Sequence, residues 1–409
     1  MTTDRLTELL EETAADVPAP SFAASAWARS RRVRRTRQVV ASAVVVVAVA
    51  AVVIPLNIGR SQPPPPALST ESPQPPVTRI STIPPVVSWR GMDPFPAIVR
   101  VPADARPLTG HPVEQAVAVF QEQAGESDRA MRPLHVLDTR GEWIRVDVGD
   151  LVRTHDAGGN EADPLRVASL SPDRRRVAVA QPQALVVVDL PTAKASRYPV
   201  PGLNEQVMWW GPDTVLVGAD GPGVTRVDLA TGEISREPAA VSAWNSAGSS
   251  VLGGELAEIV EIDGRSVLRV WEMGSAKPVR ELPVDQSGMP PGWAVDEFYG
   301  QAISDGNGRI AVAGWGSWAD AMGRSFQGGA QMLTVVDTRT GALSEVLVME
   351  DSAGPRRSKS CCAALSWYDS ETVLARTDHE GVIAWRLRGG GVTSLVTAPF
   401  DGRLALRMQ

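Results

Sequence analysis

Metal binding and nucleophilic catalysis lean most heavily on His and Cys, and this chain of 409 residues has four of the first and two of the second. His111, His135, His155 and His379 have no mutual spacing that suits a metal ion. His379 lies in Thr377-Asp378-His379-Glu380-Gly381, which reads as a tight turn between strands. Asp156, Asn160, Glu161 and Asp163 make an acidic loop, but they lack the alternating pattern of a calcium loop and read as solvated. Glu258 and Glu261 form a carboxylate pair of the kind used in general acid–base work, yet their strand context reads as a solvated face. No Gly-x-Ser-x-Gly elbow, phosphate-binding loop or dinucleotide fingerprint occurs. The expectation is therefore a non-enzymatic domain with no catalytic residue, no metal and no cofactor. An enzyme, either a cofactor-dependent dehydrogenase or a hydrolase, is the alternative.

Two further groups carry chemistry. Cys361 and Cys362 are adjacent, and an oxidising compartment would allow a vicinal disulfide between them. Two free thiols or a bridge to a second chain are the other readings. Trp209, Trp210, Trp315, Trp318, Trp367 and Trp385 stand out in a chain only 5% aromatic, and strand tryptophans mostly fill space in a core.

The compartment follows from the segment that precedes all of these residues. No charged residue occurs over positions 39–58, which are almost wholly aliphatic. A helix of that length is ~30 Å long, the thickness of a bilayer's hydrocarbon core. Arg29, Arg31, Arg32, Arg34, Arg35 and Arg37 crowd its N-terminal side, whereas Arg60 and Arg79 are the nearest cations beyond it. Positive charge stays in the cytoplasm, so the pattern predicts an N-in, single-pass anchor with the rest of the chain outside. A cleaved signal peptide would not carry so long a leading segment. Residues 1–38 then form a cytoplasmic stub, 39–58 the transmembrane helix, 59–90 a Pro-rich linker and 91–409 an extracytoplasmic domain. The stub reads as a short amphipathic segment at the inner leaflet or as a docking element for a cytoplasmic partner. A net charge of −7 with arginines concentrated in the stub leaves the outer part acidic, which excludes nucleic acid as its partner.

Beyond Pro96 the helical period gives way to short β-rich runs: residues 97–101, 177–180, 185–188 and 310–313. Between them an Asp turn recurs. Leu137-Asp138-Thr139-Arg140-Gly141, Val188-Asp189-Leu190-Pro191-Thr192, Val227-Asp228-Leu229-Ala230-Thr231-Gly232 and Val336-Asp337-Thr338-Arg339-Thr340-Gly341 are its clear copies, with degenerate ones at 271–274 and 385–389. The Asp carboxylate accepts from amides two or three residues on, and Gly supplies positive φ. A second turn precedes each later one: Ser171-Pro172-Asp173, Gly211-Pro212-Asp213, residues 245–248, Ser304-Asp305-Gly306 and Tyr368-Asp369-Ser370. Two turns at this spacing predict a four-stranded unit repeated every ~40 to 60 residues, which is a propeller blade. The units fall near 97–148, 166–200, 206–237, 241–282, 299–348 and 363–397, with the end of the chain helping to close the ring. The fold class is thus an all-β propeller of six blades, with seven as the alternative count.

The Ser-Pro-Asp and Asp-x-x-Thr-Gly signatures resemble those of WD-repeat-like and TolB-like β-propellers, over roughly residues 90 to 409. The layout as a whole is similar to membrane-anchored propeller proteins of high-GC Gram-positive bacteria. That resemblance implies the fold rather than an activity, and the expected role is binding of an extracytoplasmic protein or a cell-wall ligand. Within such a fold both turn classes leave one face, while 149–166, 283–297, 350–361 and 316–330 are insertions on the other. Trp293, Trp318, Phe326, Arg356 and Arg357, with Met289, Met322 and the cysteine pair, are accordingly expected on one binding rim.

Overall fold

A computed structural model describes residues 77–83, 87–123, 131–155, 158–218, 223–238, 246–248, 254–319, 325–351, 354–355, 362–377, 381–389, 391–397 and 400–408. The expected stub, the 39–58 helix and most of the linker lie outside them. Among the described residues no helix is long and apolar enough to cross a membrane.

The strands make six consecutive up-and-down sheets. Blade 1 holds Ala116–Glu122, Leu134–Asp138 and Trp143–Arg145; blade 2 holds Arg176–Gln181, Ala184–Asp189 and Lys194–Tyr198. A bridge from Leu170 to Val177 supplies the innermost position of blade 2. Blade 3 runs Gln206–Trp209, Thr214–Gly218, Val224–Asp228 and Ile234–Glu237. Blade 4 runs Ser246–Gly248, Glu255–Ile262, Arg265–Glu272 and Arg280–Pro283. Blade 5 has Ala294–Ser304, Arg309–Ala319, Ser325–Asp337 and Leu343–Val348, and blade 6 has Cys362–Asp369, Thr372–Thr377, Gly381–Arg386 and Val392–Ser394.

Six hydrophobic seams prove that the ring closes with six blades. Strand alternation drives one set of side chains into each neighbouring seam. In blade 2, Val177, Val179, Val186 and Val188 face blade 1, whereas Ala178, Ala180, Leu185 and Val187 face blade 3. Met208, Leu216, Leu256 and Trp271 fill the seam between blades 3 and 4, and Leu268, Val270, Ile310 and Met332 that between 4 and 5. Leu333, Val335, Val373 and Trp385 fill the next, and Phe120, Leu137, Leu374 and Leu404 complete the circuit from blade 6 to blade 1. A strand buried on both faces must be apolar at successive positions, which is why 177–180 and 185–188 read as continuous hydrophobic runs.

Both ends of the described chain secure this ring. Gly402–Leu406 pairs antiparallel with Ala116–Glu122 as the innermost strand of blade 1, the closure expected from the end of the sequence. From the other end, Arg79–Thr82 adds a parallel fifth strand to blade 5 and Ser88–Trp89 does the same for blade 6. Arg106–Pro107 then lies parallel to Trp143–Arg145 in blade 1. Residues 79–82 and 88–89, inside the stretch read as linker, are thus strands, and Ile83 is buried in a seam. Three further expectations need correction. Residues 97–101 form no strand, because Pro94, Pro96 and Pro102 interrupt the donors a ladder needs, and Ile98 is exposed. The expected turn at 245–248 is a strand over Ser246–Gly248, held by Glu255–Ile262. Glu258 is fully buried rather than solvated, accepting from Trp271 Nε1 at 3.0 Å on the adjacent strand.

Candidate functional site

The Asp turns are built as their sequence implies. Asp138 Oδ1 accepts from the amides of Arg140 and Glu142, both at 2.9 Å. Asp228 Oδ1 accepts from Ala230 at 3.0 Å and Thr231 at 2.8 Å, and Asp337 Oδ1 from Arg339 at 2.8 Å and Thr340 at 3.1 Å. Burial raises the Asp138 carboxyl, but the amide of Glu142 and the Arg140 side chain outweigh it and hold the group below its ordinary value. The following residue ties the turns at Asp189, Asp228 and Asp337, and the degenerate copy at Arg386, to the other hairpin of the blade. Leu190 donates to Arg175 O at 2.9 Å, Leu229 to Asp213 O at 2.8 Å, Thr338 to Gly308 O at 2.7 Å and Leu387 to Glu371 O at 2.8 Å. Both turn classes therefore share one face of the ring.

That face also carries two matching clamps between blades. Trp209 donates Nε1 to Ser169 O at 3.0 Å, and the Arg176 guanidinium lies 5.3 Å from its ring centroid while bonding Asp213 Oδ1 at 2.9 Å. Trp367 donates Nε1 to Ile303 O at 3.2 Å under Arg309, 4.9 Å away, which also bonds Asp305 and the carbonyl of Ser370. The two clamps occupy the 2/3 and 5/6 seams, on opposite sides of a six-membered ring. The buried tryptophans of the strands thus fill seams; Trp209, Trp210, Trp271 and Trp367 donate their indole N–H groups, whereas Trp385 Nε1 finds no partner.

The opposite face bears the insertions. The loop after blade 1 contains a small hairpin, Thr154–His155 with Glu161–Ala162. Arg153 pairs with both Glu161 and Asp163, so two acids of this loop are bonded locally, and Asp156 lies outside the described residues. Among the described residues no group of His, Cys, Asp and Glu side chains could hold a metal ion. In blade 5 the insertion is a continuation of the sheet rather than a loop. Arg309–Ala319 and Ser325–Asp337 run 11 and 13 residues, against 3 to 8 for the strands of blades 3 and 4. Trp318 and Phe326 are register partners at its tip, past a bulge at Gly316.

Of the expected rim residues, Trp318 and Phe326 are register partners, and Trp293 directly precedes Ala294, which pairs with Ser317 beside them. Trp293 and Met289 are half-buried against the blade 4/5 core, where Gln286 bonds both the amide and the carbonyl of Val295. Met322, Arg356, Arg357 and Cys361 lie outside the described residues, and with Cys361 the expected bridge to Cys362. Cys362 itself is a free, buried thiol in the blade 5/6 seam, 3.7 Å from both Tyr299 Oη and Gln331 Oε1.

Sequence reasoning missed the site that the ring encloses. The channel ends on the turn face in a cavity of about 310 Å³. Its wall is contributed by the innermost strands of blades 3, 5 and 6, by the segment leading into blade 2, and by Leu406 and Arg407 from the closure. Trp209 and Trp367 give it aromatic surface, Gln301, Ser304, Asn307 and Ser366 polar atoms, and Asp305 and Arg407 its charges. Nothing in the sequence marks Arg407 beyond its place just after the final strand.

The sequence matches no protein-family model, and no curated protein matches it. Among solved structures, the crystal structure of TolB from Acinetobacter baumannii is similar over 73% of this chain and 69% of that one, at 14% identity and a TM-score of 0.44. The blade count rests on the strand pairing and the seams described above.

Proposed function

We propose that the chain presents a non-enzymatic, TolB-like binding propeller outside a bacterial membrane, held there by a helix over 39–58. The partner, an extracytoplasmic protein or cell-wall ligand, docks on the insertion-bearing face. The observation that carries this reading is the blade 5 hairpin, whose paired strands run several residues beyond those of the neighbouring blades and set Trp318 opposite Phe326. A two-stranded arm on a rigid ring is a scaffold-held recognition element, and aromatic and arginine side chains dominate contact energies. The tight, mutually bonded Asp turns offer the other face little that could adapt to a partner. The channel, with one acid already bonded and one cation, lacks the convergent charges expected of a hydrolytic centre. The test is capture of partners from detergent-solubilised membranes with the full chain as bait. Trp318→Ala and Arg356→Ala are expected to lower recovery of a specific partner about tenfold or more with the unfolding midpoint nearly unchanged. Substitutions at Asp228 and Asp337 that abolish capture, while those two do not, would place the contact on the wrong face.

A further inference from the structure

The cavity on the turn face holds a charge that the fold leaves without a partner. Arg407 follows the closure strand, and its amide is fixed to Val117 O at 3.0 Å. Arg407 lines the cavity, half-buried, and among the described residues no hydrogen bond or ion pair engages its side chain. The two acids nearby are already committed. Asp173 accepts from Ser171 Oγ at 2.5 Å, from the Arg175 amide at 3.1 Å and from Arg176 at 3.4 Å. Asp305 accepts from the amides of Asn307 and Arg309 at 2.8 and 2.9 Å and from Arg309 Nε at 2.8 Å. Desolvation pulls the Arg407 guanidinium down to about 10, only partly opposed by attraction to Asp173, so it is still charged at neutral pH. A half-buried cation on a cavity wall with no protein partner is stabilised by an anion that joins it there.

We propose that this cavity binds a small carboxylate whose charged end pairs with Arg407 and whose apolar body rests against the indoles of Trp209 and Trp367. A single guanidinium offers one planar fork, which matches the two oxygens of a carboxylate. A phosphate dianion would call for more donors and a second cation, whereas Arg176 and Arg309 are held on the outer sides of the indoles by their own partners. Ile303 and Leu365 complete the apolar wall, and Ser304 and Ser366 stand beside it as polar neighbours. The volume is at the lower end of the range for small-molecule sites, which sets the ligand's size. The carboxylate has two sources, a free organic acid or the C-terminal end of a peptide entering the channel mouth. This site lies on the face opposite the insertions, so it stands or falls independently of the proposed partner surface.

Isothermal titration of the full-length protein in detergent tests it, with benzoate and benzamide as probes matched in shape but not in charge. Benzoate is expected to bind at one site per chain at least about tenfold more tightly than benzamide, the scale of one charge-assisted pair. Arg407→Gln should erase that preference. A tripeptide ending in Phe, with its C-terminus free or amidated, identifies the source: preference for the free peptide with no response to benzoate assigns the site to chain ends. Should the variant not fold, the comparison of acid with neutral partner in the unaltered protein still decides. The proposal is overturned if neither acid binds more tightly than its neutral partner, or if the preference survives Arg407→Gln.

Discussion

Gly402→Ala should open the ring at its closure. A Cβ on Gly402 would lie 2.5 Å from Gln121 O and 2.6 and 2.7 Å from the Cε2 and Cζ atoms of Phe120, at a backbone φ of 155°. Carbon contacts are normally ~3.5 to 4.0 Å, so the strand end must retreat from Ala116–Glu122 by roughly 1 Å. The Phe120 ring cannot swing aside freely, because it meets Trp143 and Phe400 edge-on at centroid distances of 6.2 and 5.6 Å. The pairs Gly402↔Glu122 and Arg403↔Gln121 would loosen first, together with the bond from Arg376 to Gly402 O. Overpacking costs about 1–3 kcal/mol and a disfavoured φ a similar amount, which gives a loss of roughly 2–5 kcal/mol. With a urea m-value of ~3 kcal/mol/M, the unfolding midpoint should fall by about 1 M. Tryptophan fluorescence of the full chain in detergent reads this out. Gly110→Ala is the control, since a Cβ there meets nothing within 4 Å. Equal midpoints for the two variants would show that Gly402–Leu406 does not bear the closure.

Two other outcomes follow from the same structure and sequence. Burial and the nearby Arg145 lower His135 from 6.5 to about 4, so the fold holds it neutral and stability, complete above pH 6.5, should decline by up to ~3 kcal/mol as pH falls toward 4; urea midpoints at pH 7.5 and 5 check this, and a slope unchanged in His135→Gln would refute it. For the topology, protease added to intact spheroplasts is expected to remove the chain after Ser61 and spare the stub, whereas a protected propeller would reverse the orientation.

What was legible in the sequence is what local chemistry dictates. An Asp that accepts two amides within its own turn, as at Asp138, Asp228 and Asp337, must be spelled within a few residues. The same holds for the doubly buried run at 177–180. Five expected units therefore lie close to the strands of blades 2 to 6. Blade 1 began in the wrong place because its innermost strand comes from the far end of the chain. The parallel edge strands were invisible for a related reason: Arg79–Thr82 pairs with residues more than 260 positions away, and four residues carry no signature of that partner. The cavity was illegible altogether. It gathers short stretches from blades 3, 5 and 6, the lead into blade 2 and the closure, and its one uncommitted charge is a lone arginine among many.

The non-covalent seam between blades 6 and 1 is where a ring of this kind must be strongest. Here it is stitched from both sides. Phe95 and Val99 enter it from the N-terminal segment, Leu404 and Leu406 from the closure strand, and Leu395 and Val396 from the end of blade 6. Each of these groups buries apolar surface only when the others are in place, so the seam forms as one cooperative unit. Arg407 belongs to that unit, since the hydrogen bond its backbone N–H donates to Val117 O continues the ladder of the closure strand. An open ring has no Arg407 in the channel and hence no carboxylate site. Occupancy of the cavity and closure of the ring are therefore linked: a ligand bound only to the closed form, at 100 times its Kd, adds about 2.7 kcal/mol. That is the same scale as the loss expected for Gly402→Ala, so the last few residues of the described chain join the stability of the fold to the filling of its channel.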